Sequence, residues 1–172
     1  MFYKADFHNS NANIMIGGTQ DNATPASIGD LANWENCGGG DGGFSCINQA
    51  SPNIQYTTSQ NLGVYRTGNY WSSQTTISPS TGSDSKSFIS PIVLDPNNYN
   101  LLYAGTNYLW RRDDVTAVWT ARLGGQLLSA SGNLRSIAIA PGDTNRIYTG
   151  ASDGQVWMST DKGVSWTQIN VG

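Results

Sequence analysis

The chain has 172 residues, of which 12% are charged and 20 are glycine, and its formal net charge is −3. This length suits one ordinary domain, and the charged fraction is about half the usual share of roughly 25%. With only nine basic residues, the chain is not expected to bind nucleic acid. No apolar run reaches the roughly 18 residues of a membrane span, and the first residues, MFYKADFHNS, lack the apolar stretch of a signal peptide.

Short β-rich runs bounded by Gly, Asn, Asp and Pro recur along the chain, and no window keeps a helical spacing of apolar residues over three turns. The predicted strands cover residues 13–17, 54–58, 63–67, 89–94, 101–105, 136–140, 146–150 and 155–159. Many short strands separated by frequent turn signals are typical of an all-β domain.

Two cysteines, Cys37 and Cys46, flank the run GGGDGGF. The only histidine, His8, is far away in the sequence, so these residues do not predict a zinc site. Two thiols are one interpretation of the pair, and a disulfide is the other. A disulfide implies an oxidising compartment. A composition rich in Asn, Ser, Thr and Gly with little Lys or Glu also favours a secreted protein.

Four segments of the chain resemble one another at a spacing of 40 to 47 residues, and they align on Ile16, Tyr56, Tyr103 and Tyr148. A tryptophan follows each of these anchors after 15 to 18 residues, at Trp34, Trp71, Trp119 and Trp166. Repeats of this length, each with four predicted strands A to D, are typical of propeller blades. We therefore predict one domain, 1–172, with four four-stranded antiparallel blades at about 1–37, 43–76, 87–123 and 134–171. In the first blade ATPASIGDLANW replaces a clean strand C.

The last repeat carries the most specific motif, STDKGVSW at residues 159–166. It matches Ser-x-Asp-x-Gly-x-(Ser/Thr)-Trp through Ser159, Asp161, Gly163 and Trp166. Asp161 can accept hydrogen bonds from the backbone of its own turn, and Gly163 can supply the positive φ of a tight C–D hairpin. We expect Trp166 to fill the space between adjacent sheets. Decayed copies of the motif stand at residues 112–119 and 67–71.

These repeats resemble the Asp-box (BNR-repeat) β-propellers of the sortilin-, sialidase- and xyloglucanase-like group. The resemblance is carried by GGTQDNAT (17–24), GGGDGGF (38–44), VLDPNNYNLLYAGT (93–106) and STDKGVSW. Members of the group usually have six to ten blades and are often secreted. The resemblance therefore implies a piece of a larger secreted bacterial propeller protein, located outside the cell or at its surface. We expect the four blades to be a partial propeller, a small closed ring, or half of a ring that a homodimer completes.

The candidate ligand-binding residues lie in loops that propeller topology places on one face. Asp21 and Asn22 follow strand B of the first blade, Asp41 leads into the second blade, and Asp153 takes the corresponding B–C position in the last blade. One interpretation is that these side chains cap turns. The other is a polar rim that binds a glycan or Ca²⁺, which prefers oxygen ligands. We expect no other cofactor and no other metal.

The inventory of charged residues argues against catalysis by this chain alone. A glycosidase needs two carboxyl groups around the scissile bond, and Asp21 with Asp41 is the only pair predicted on one face. Xyloglucanase-type relatives use two Asp residues in a cleft between two propellers. Sialidase-like relatives use an arginine cluster and a Tyr–Glu pair, whereas Glu35 is the only Glu here, and Arg111 and Arg112 adjoin a C–D turn.

We therefore predict a non-catalytic propeller module whose partner is a carbohydrate or a protein. The alternative is a fragment of a glycoside-hydrolase-like propeller whose activity needs further blades.

Overall fold

The computed structural model describes residues 1–170, which contain sixteen β-strands in four sheets of four strands. In every sheet the strands are antiparallel and lie side by side in chain order. The only helical elements in residues 1–170 are two 3₁₀ turns, Gln60–Leu62 and Leu123–Gly125. The structure thus confirms the predicted all-β fold with four four-stranded antiparallel blades.

Blade 1 comprises β1 (Phe2–His8), β2 (Asn11–Thr19), β3 (Thr24–Ile28) and β4 (Glu35–Cys37). Blade 2 comprises β5 (Ser45–Ile47), β6 (Gln55–Ser59), β7 (Gly63–Thr67) and β8 (Thr75–Thr76). Blade 3 comprises β9 (Ile92–Asp95), β10 (Asn98–Gly105), β11 (Leu109–Asp113) and β12 (Val118–Thr120). Blade 4 comprises β13 (Leu134–Ala140), β14 (Asp143–Ala151), β15 (Val156–Ser159) and β16 (Thr167–Gln168).

The chain divides into two compact units, one from Met1 to Ser78 and one from Pro79 onward. The first unit contains blades 1 and 2, and the second contains blades 3 and 4. That residues 1–172 form one domain stays a prediction. The end predicted for the last blade, residue 171, lies outside the described residues.

Strand C of the first blade is present, so the expectation that it is replaced by an irregular segment was wrong. β3 pairs with both of its neighbours, with Ala26 opposite Ile16 on β2 and opposite Glu35 on β4. Thr24 and Ala26 are almost completely buried. Small side chains at alternating positions therefore define a buried strand face here, although their weak hydrophobicity gives little signal in the sequence.

The core of the first unit lies between blades 1 and 2 and combines apolar side chains with hydroxyl groups. Its apolar members are Ile14, Ile16, Ala26, Cys37, Ile47 and Trp71. The Thr57 hydroxyl lies 2.8 Å from the Thr24 hydroxyl of blade 1 and 3.0 Å from the Ser45 hydroxyl. The two blades approach so closely that a Cβ atom at Gly18 would overlap the backbone of Gly43.

The core of the second unit lies between blades 3 and 4 and is built from large aliphatic side chains with one tyrosine. Its buried members are Tyr103, Leu109, Leu123, Leu128, Leu134, Ile139 and Ile147. Two of them, Leu123 and Leu128, belong to the connection from β12 to β13. Trp166 is half-buried and packs against this cluster, with its indole N–H directed at the Leu123 carbonyl at 3.4 Å.

Cys37 and Cys46 are buried thiols in this structure. Burial raises the pKa of Cys37 to about 12, and the negative charge of Glu35 adds to the rise. Of the two interpretations of the cysteine pair, the structure therefore agrees with two thiols.

Candidate ligand-binding loops

Two polar loops of the first unit meet at one end of blades 1 and 2. One is the B–C loop of blade 1, residues 19–23, and the other is the D–A loop between the blades, residues 38–43. The Ala23 N–H donates to the Gly40 carbonyl at 3.1 Å, and the Gly42 N–H donates to the Thr19 carbonyl at 2.9 Å. These backbone bonds hold the loops together, and we call residues 19–23 and 38–43 the loop pair.

Asp41 is buried in the loop pair, and both of its carboxylate oxygens accept hydrogen bonds from the protein. Oδ1 accepts from the Asp21 N–H at 2.5 Å, and Oδ2 accepts from the Gln60 side-chain amide at 3.1 Å. Asp21 has a φ of 62°, in the left-handed region. The Asp41 carboxylate therefore anchors the strained turn at Asp21, which agrees with the turn-capping interpretation for Asp41.

Asp21 and Asn22 lie at the tip of the same loop and are exposed. The Asn22 side-chain amide donates to the Gln20 carbonyl at 3.1 Å. The structure places Asp21, Asn22 and Asp41 in the same loop pair, and their surroundings there differ. Asp41 holds the loop, while Asp21 and Asn22 face the solvent.

Asp153 belongs to the second unit and is half-buried in the B–C turn of blade 4. Its Oδ2 accepts from the Ser129 hydroxyl at 2.9 Å, from the Ser131 N–H at 3.2 Å and from the Gln155 side chain at 3.2 Å. Partial desolvation raises the pKa of Asp153, but the hydrogen bonds from Ser131 and Ser129 outweigh it, so the net shift is downward. Asp153 therefore joins the D–A connection to the B–C turn of its own blade.

A buried carboxylate that sequence analysis missed, Asp84, stands in the long connection between β8 and β9. It accepts hydrogen bonds from the Trp110 indole N–H at 3.0 Å and from the Thr106 hydroxyl at 3.1 Å. The Arg122 guanidinium donates to its other oxygen at 2.6 and 3.1 Å and lies 4.6 Å from the centre of the Tyr108 ring. The hydrogen bond and the charge of Asp84 raise the pKa of Arg122.

The one sequence signal for Asp84 was its charge within the run STGSDSKS, in a chain with only 12 acidic residues. Its partners are 22, 26 and 38 residues further along the chain. Local turn preferences carry no information about partners at that distance.

The C–D turn of blade 4 is organised by Asp161. Oδ2 accepts from the Ser165 hydroxyl at 2.5 Å, and Oδ1 accepts from the Ser165 N–H at 2.9 Å and from the Ser159 hydroxyl at 2.8 Å. Together these bonds lower the pKa of Asp161 to about 2. Gly163 has a φ of 83°, and its N–H donates to Ser159 Oγ at 2.8 Å. The turn is thus closed from within by its own side chains.

The charged groups considered for catalysis are dispersed or already paired. Glu35 is exposed on β4, while Arg112 is buried on β11, where it bonds Asp114 at 3.3 Å and the Ala117 carbonyl at 2.8 Å. His8 ends β1 and contacts a backbone carbonyl of blade 2 at 3.0 Å. Arg112 and His8 thus bond within the protein, whereas Glu35 lies apart from them on the surface of blade 1.

Within residues 1–170, no group of three or more His, Cys, Asp or Glu side chains is placed to hold a metal ion. In the same part of the chain, no helix has the length and apolar character needed to cross a bilayer.

The comparisons with known proteins identify a fold. No protein-family model matches the chain, and no curated protein matches it in sequence. Among solved structures, the chain is similar to the GH74 enzyme of Niastella koreensis, with a TM-score of 0.72 and 18% identity over 95% of this chain. It is also similar to an ancestral GH74 enzyme, with a TM-score of 0.73 and 15% identity over 98% of this chain.

The chain spans about a quarter of the length of these two enzymes, 28% of the first and 24% of the second. At these sequence identities the likeness concerns the fold alone. The four blades are those of a partial β-propeller, and its structural neighbours are glycoside hydrolases.

Proposed function

We propose that this chain is a non-catalytic propeller module that binds carbohydrate through the loop pair, as part of a secreted or cell-surface protein of glycoside-hydrolase type. The observation that carries the proposal is that the loop pair combines a buried carboxylate that holds a turn with exposed polar side chains at the tip of that turn. A buried carboxylate, Asp41, holds the turn at Asp21. The neighbouring carboxylate and amide, of Asp21 and Asn22, are exposed at its tip.

The chemistry of this tip suits a ligand rich in hydroxyl groups. A carboxylate accepts hydrogen bonds from sugar hydroxyls, and an asparagine side chain both donates and accepts. Because Asp41 already fixes the turn, Asp21 and Asn22 lose little conformational freedom when a ligand binds. The likeness to GH74 enzymes supports carbohydrate over protein as the ligand class.

The same geometry supports binding without hydrolysis by this chain alone. A glycosidase needs a general acid whose pKa is raised, together with a second carboxylate. Both oxygens of Asp41 accept hydrogen bonds within the protein. Within residues 1–170, the carboxyl groups with a shifted pKa are those of Asp30, Asp153 and Asp161, and each shift is downward.

We also propose that the turn at residues 159–166 is an Asp-box that serves folding. Its support is the set of hydrogen bonds between Asp161, Ser159 and Ser165, together with the packing of Trp166. The groups of this turn bond one another, so ligand binding is assigned to the loop pair instead.

A glycan array followed by calorimetric titration with the best oligosaccharide tests the binding function. Asp21→Asn keeps the shape and the left-handed preference of the residue but removes its charge, and we expect it to weaken binding about tenfold or more. Asp143→Asn makes the same charge change at the A–B turn of blade 4 and should bind like the unmodified chain. No glycan binding at all, or equal binding by Asp21→Asn, would contradict the proposal.

Ca²⁺ at the loop pair is a separate proposal, because Asp21 and neighbouring carbonyl groups offer the oxygen ligands that this ion takes. Titration of Ca²⁺ into the sugar-free protein should then raise the melting temperature, and Asp21→Asn should abolish the rise. An unchanged melting temperature would contradict Ca²⁺ binding at the loop pair.

The second candidate is a fragment of a glycoside-hydrolase-like propeller whose activity needs further blades. This candidate is favoured because nearly all of this chain matches only about a quarter of the length of each GH74 enzyme. Release of reducing ends from xyloglucan oligosaccharides separates the candidates. Binding without release supports the module, whereas slow release supports the hydrolase fragment.

A further inference from the structure

Two basic side chains of the second unit lie beside a single buried carboxylate. The side chain of Asp84 is fully buried, and the Arg122 guanidinium donates to its Oδ1. The ammonium group of Lys86 donates to the main-chain carbonyl of Asp84 at 3.2 Å and to the Thr81 hydroxyl at 3.0 Å. Within residues 1–170, no carboxylate pairs with Lys86. Two positive charges and one negative charge therefore meet here, in a chain whose net charge is −3.

The Arg122 side chain is held in place although it is 48% exposed. Its Nε and Nη2 atoms bond one oxygen of Asp84, and its guanidinium group lies 4.6 Å from the centre of the Tyr108 ring. The backbone of Arg122 has a φ of 44°, in the left-handed region that side chains rarely adopt. Strain of this kind persists where surrounding contacts enforce it, and it is concentrated at functional sites.

The second edge of this guanidinium group, formed by Nη1 and Nη2, has N–H donors to spare. Within residues 1–170, the hydrogen bonds of Arg122 side-chain nitrogens go to Asp84 alone. Asp153 is the other carboxylate in the B–C and D–A loops of this unit, and it accepts hydrogen bonds from its own turn and from the connection before blade 4. It forms no ion pair with Arg122 or Lys86. The open edge is thus available to an anionic group from outside.

We infer that Arg122 and Lys86 bind the carboxylate of a hexuronic acid residue in an acidic polysaccharide. A planar carboxylate matches the two N–H groups at one edge of a guanidinium in a bidentate geometry. The exposed hydroxyl groups of Ser83 and Ser85, on either side of Asp84 in the chain, suit a ligand rich in hydroxyl groups. Because its buried partner already fixes the guanidinium, little side-chain freedom is lost on binding.

This site is independent of the proposed carbohydrate site. Its residues belong to the second unit, whereas the loop pair belongs to the first. The charges of the two sites are also opposite, since the exposed Asp21 would repel a ligand carboxylate that Arg122 and Lys86 attract.

Calorimetric titration of the full chain with trigalacturonate tests the site, and the fully methyl-esterified trisaccharide is the matched neutral ligand. We expect the acid to bind at least about tenfold more tightly than the ester. Raising NaCl from about 0.05 to 0.5 M should weaken binding of the acid, because salt screens exposed charges. Equal affinities for acid and ester would overturn the inference. So would an equal affinity for an acetylated triglutamate amide, which has as many carboxylates but no sugar.

Three variants locate the binding. Arg122→Lys keeps a positive charge opposite Asp84 but loses the planar N–H pair, and it should weaken binding of trigalacturonate about tenfold. Lys86→Gln removes a charge yet keeps a donor for the Thr81 hydroxyl, so it tests the site even where Arg122→Lys is unstable. It should weaken binding about threefold or more. Arg135→Lys, at an exposed position of β13, is the control and should bind like the unmodified chain. Unchanged binding by both Arg122→Lys and Lys86→Gln would overturn the inference.

Asp21→Asn separates this inference from the proposed function. The variant should bind trigalacturonate like the unmodified chain, and loss of binding there would overturn the inference by assigning the acid to the loop pair. A chain that binds no neutral glycan but keeps its preference for acid over ester, with the dependence on Arg122, would contradict the proposed function and support this site.

Discussion

The blade contacts in the two halves of the molecule arise from the same repeat but use different chemistry. Between blades 1 and 2, backbones approach at Gly18 and Gly43, and the hydroxyls of Thr24, Thr57 and Ser45 form a buried chain. Between blades 3 and 4, leucine and isoleucine side chains fill the space around the buried Tyr103.

The difference shows that the repeat specifies which faces meet, while the residues on those faces set how close they come. A contact made at glycines leaves no room for an added atom, so a larger side chain there destabilises it. A contact made by aliphatic side chains depends on filled volume, so removing atoms destabilises it. Enlarging a side chain should therefore destabilise the contact between blades 1 and 2, and truncating one should destabilise the contact between blades 3 and 4.

The largest effect is expected from a single added methyl group in the first contact. Gly18→Ala would place its Cβ within the backbone of Gly43, which cannot move aside. We expect a loss of more than about 4 kcal/mol in the free energy of unfolding, measured by urea denaturation. Gly39→Ala is the control, because its Cβ would meet only the end of the Tyr65 side chain at 3.9 Å. Equal losses from both changes would contradict the close-approach account.

The next largest effect is expected from truncating a buried side chain in the contact between blades 3 and 4. Ile147 is completely buried between blades 3 and 4, so Ile147→Ala should lower the free energy of unfolding by about 2–5 kcal/mol. Ile169→Ala removes the same atoms from a side chain that is 46% exposed, and it should change stability by less than about 0.5 kcal/mol. A small loss from Ile147→Ala would mean that the apolar core does not hold these blades together.

An effect of intermediate size is expected from the hydrogen-bonded hydroxyl groups between blades 1 and 2. Thr57→Val preserves shape but deprives Thr24 and Ser45 of their partner, which should cost about 1–3 kcal/mol in the free energy of unfolding. Thr57→Ser keeps the hydroxyl and removes one methyl group, so it should cost about 0.8 kcal/mol. A Val variant as stable as the Ser variant would show that the hydroxyls contribute little.

The smallest effect concerns pH and the turn beside the second contact. The pKa of Asp161 is lowered from 3.8 to about 2 by its hydrogen bonds with Ser165 and Ser159. Since the folded pKa is the lower one, the ionised group stabilises the fold above pH 4 and loses that effect as pH falls toward 2. Asp161→Asn should therefore lower the melting temperature at pH 7, and the gap to the unmodified chain should close near pH 2. A difference in melting temperature that persists at pH 2 would mean that Asp161→Asn acts through the shape of the turn and not through the lost charge.

The number and order of the blades could be predicted because three of the four repeat anchors are buried residues. Ile16, Tyr56 and Tyr103 are 0–1% exposed, and large buried residues at a regular spacing dominate the pattern. The strand at Thr24–Ile28 was missed because its buried positions carry small side chains, which bring little hydrophobic signal. Trp34 is 47% exposed, which the repeat alignment could not predict because exposure depends on tertiary contacts.

The candidate site was predicted in part. The loops that carry Asp21 and Asp41 could be placed at one end from strand order alone, because strand direction fixes which loops share an end. The role of Asp41 in holding the loop could not be predicted, because it depends on hydrogen bonds from the side chain of Gln60, 19 residues away, and from the backbone of Asp21. Asp84 illustrates the same limit, because its hydrogen-bond partners come from a turn, a strand and a later connection, at Thr106, Trp110 and Arg122.

The buried Cys37 side chain has a consequence for the redox chemistry of the chain. With a pKa of about 12, only on the order of one Cys37 thiol in 10⁵ is ionised at pH 7, and the thiolate is the form that attacks disulfides and reacts with oxidants. Burial between two blades further denies access to glutathione or to an oxidoreductase. An unpaired thiol at this position would therefore survive an oxidising compartment as long as blades 1 and 2 stay together, and its oxidation would report the moment at which they separate.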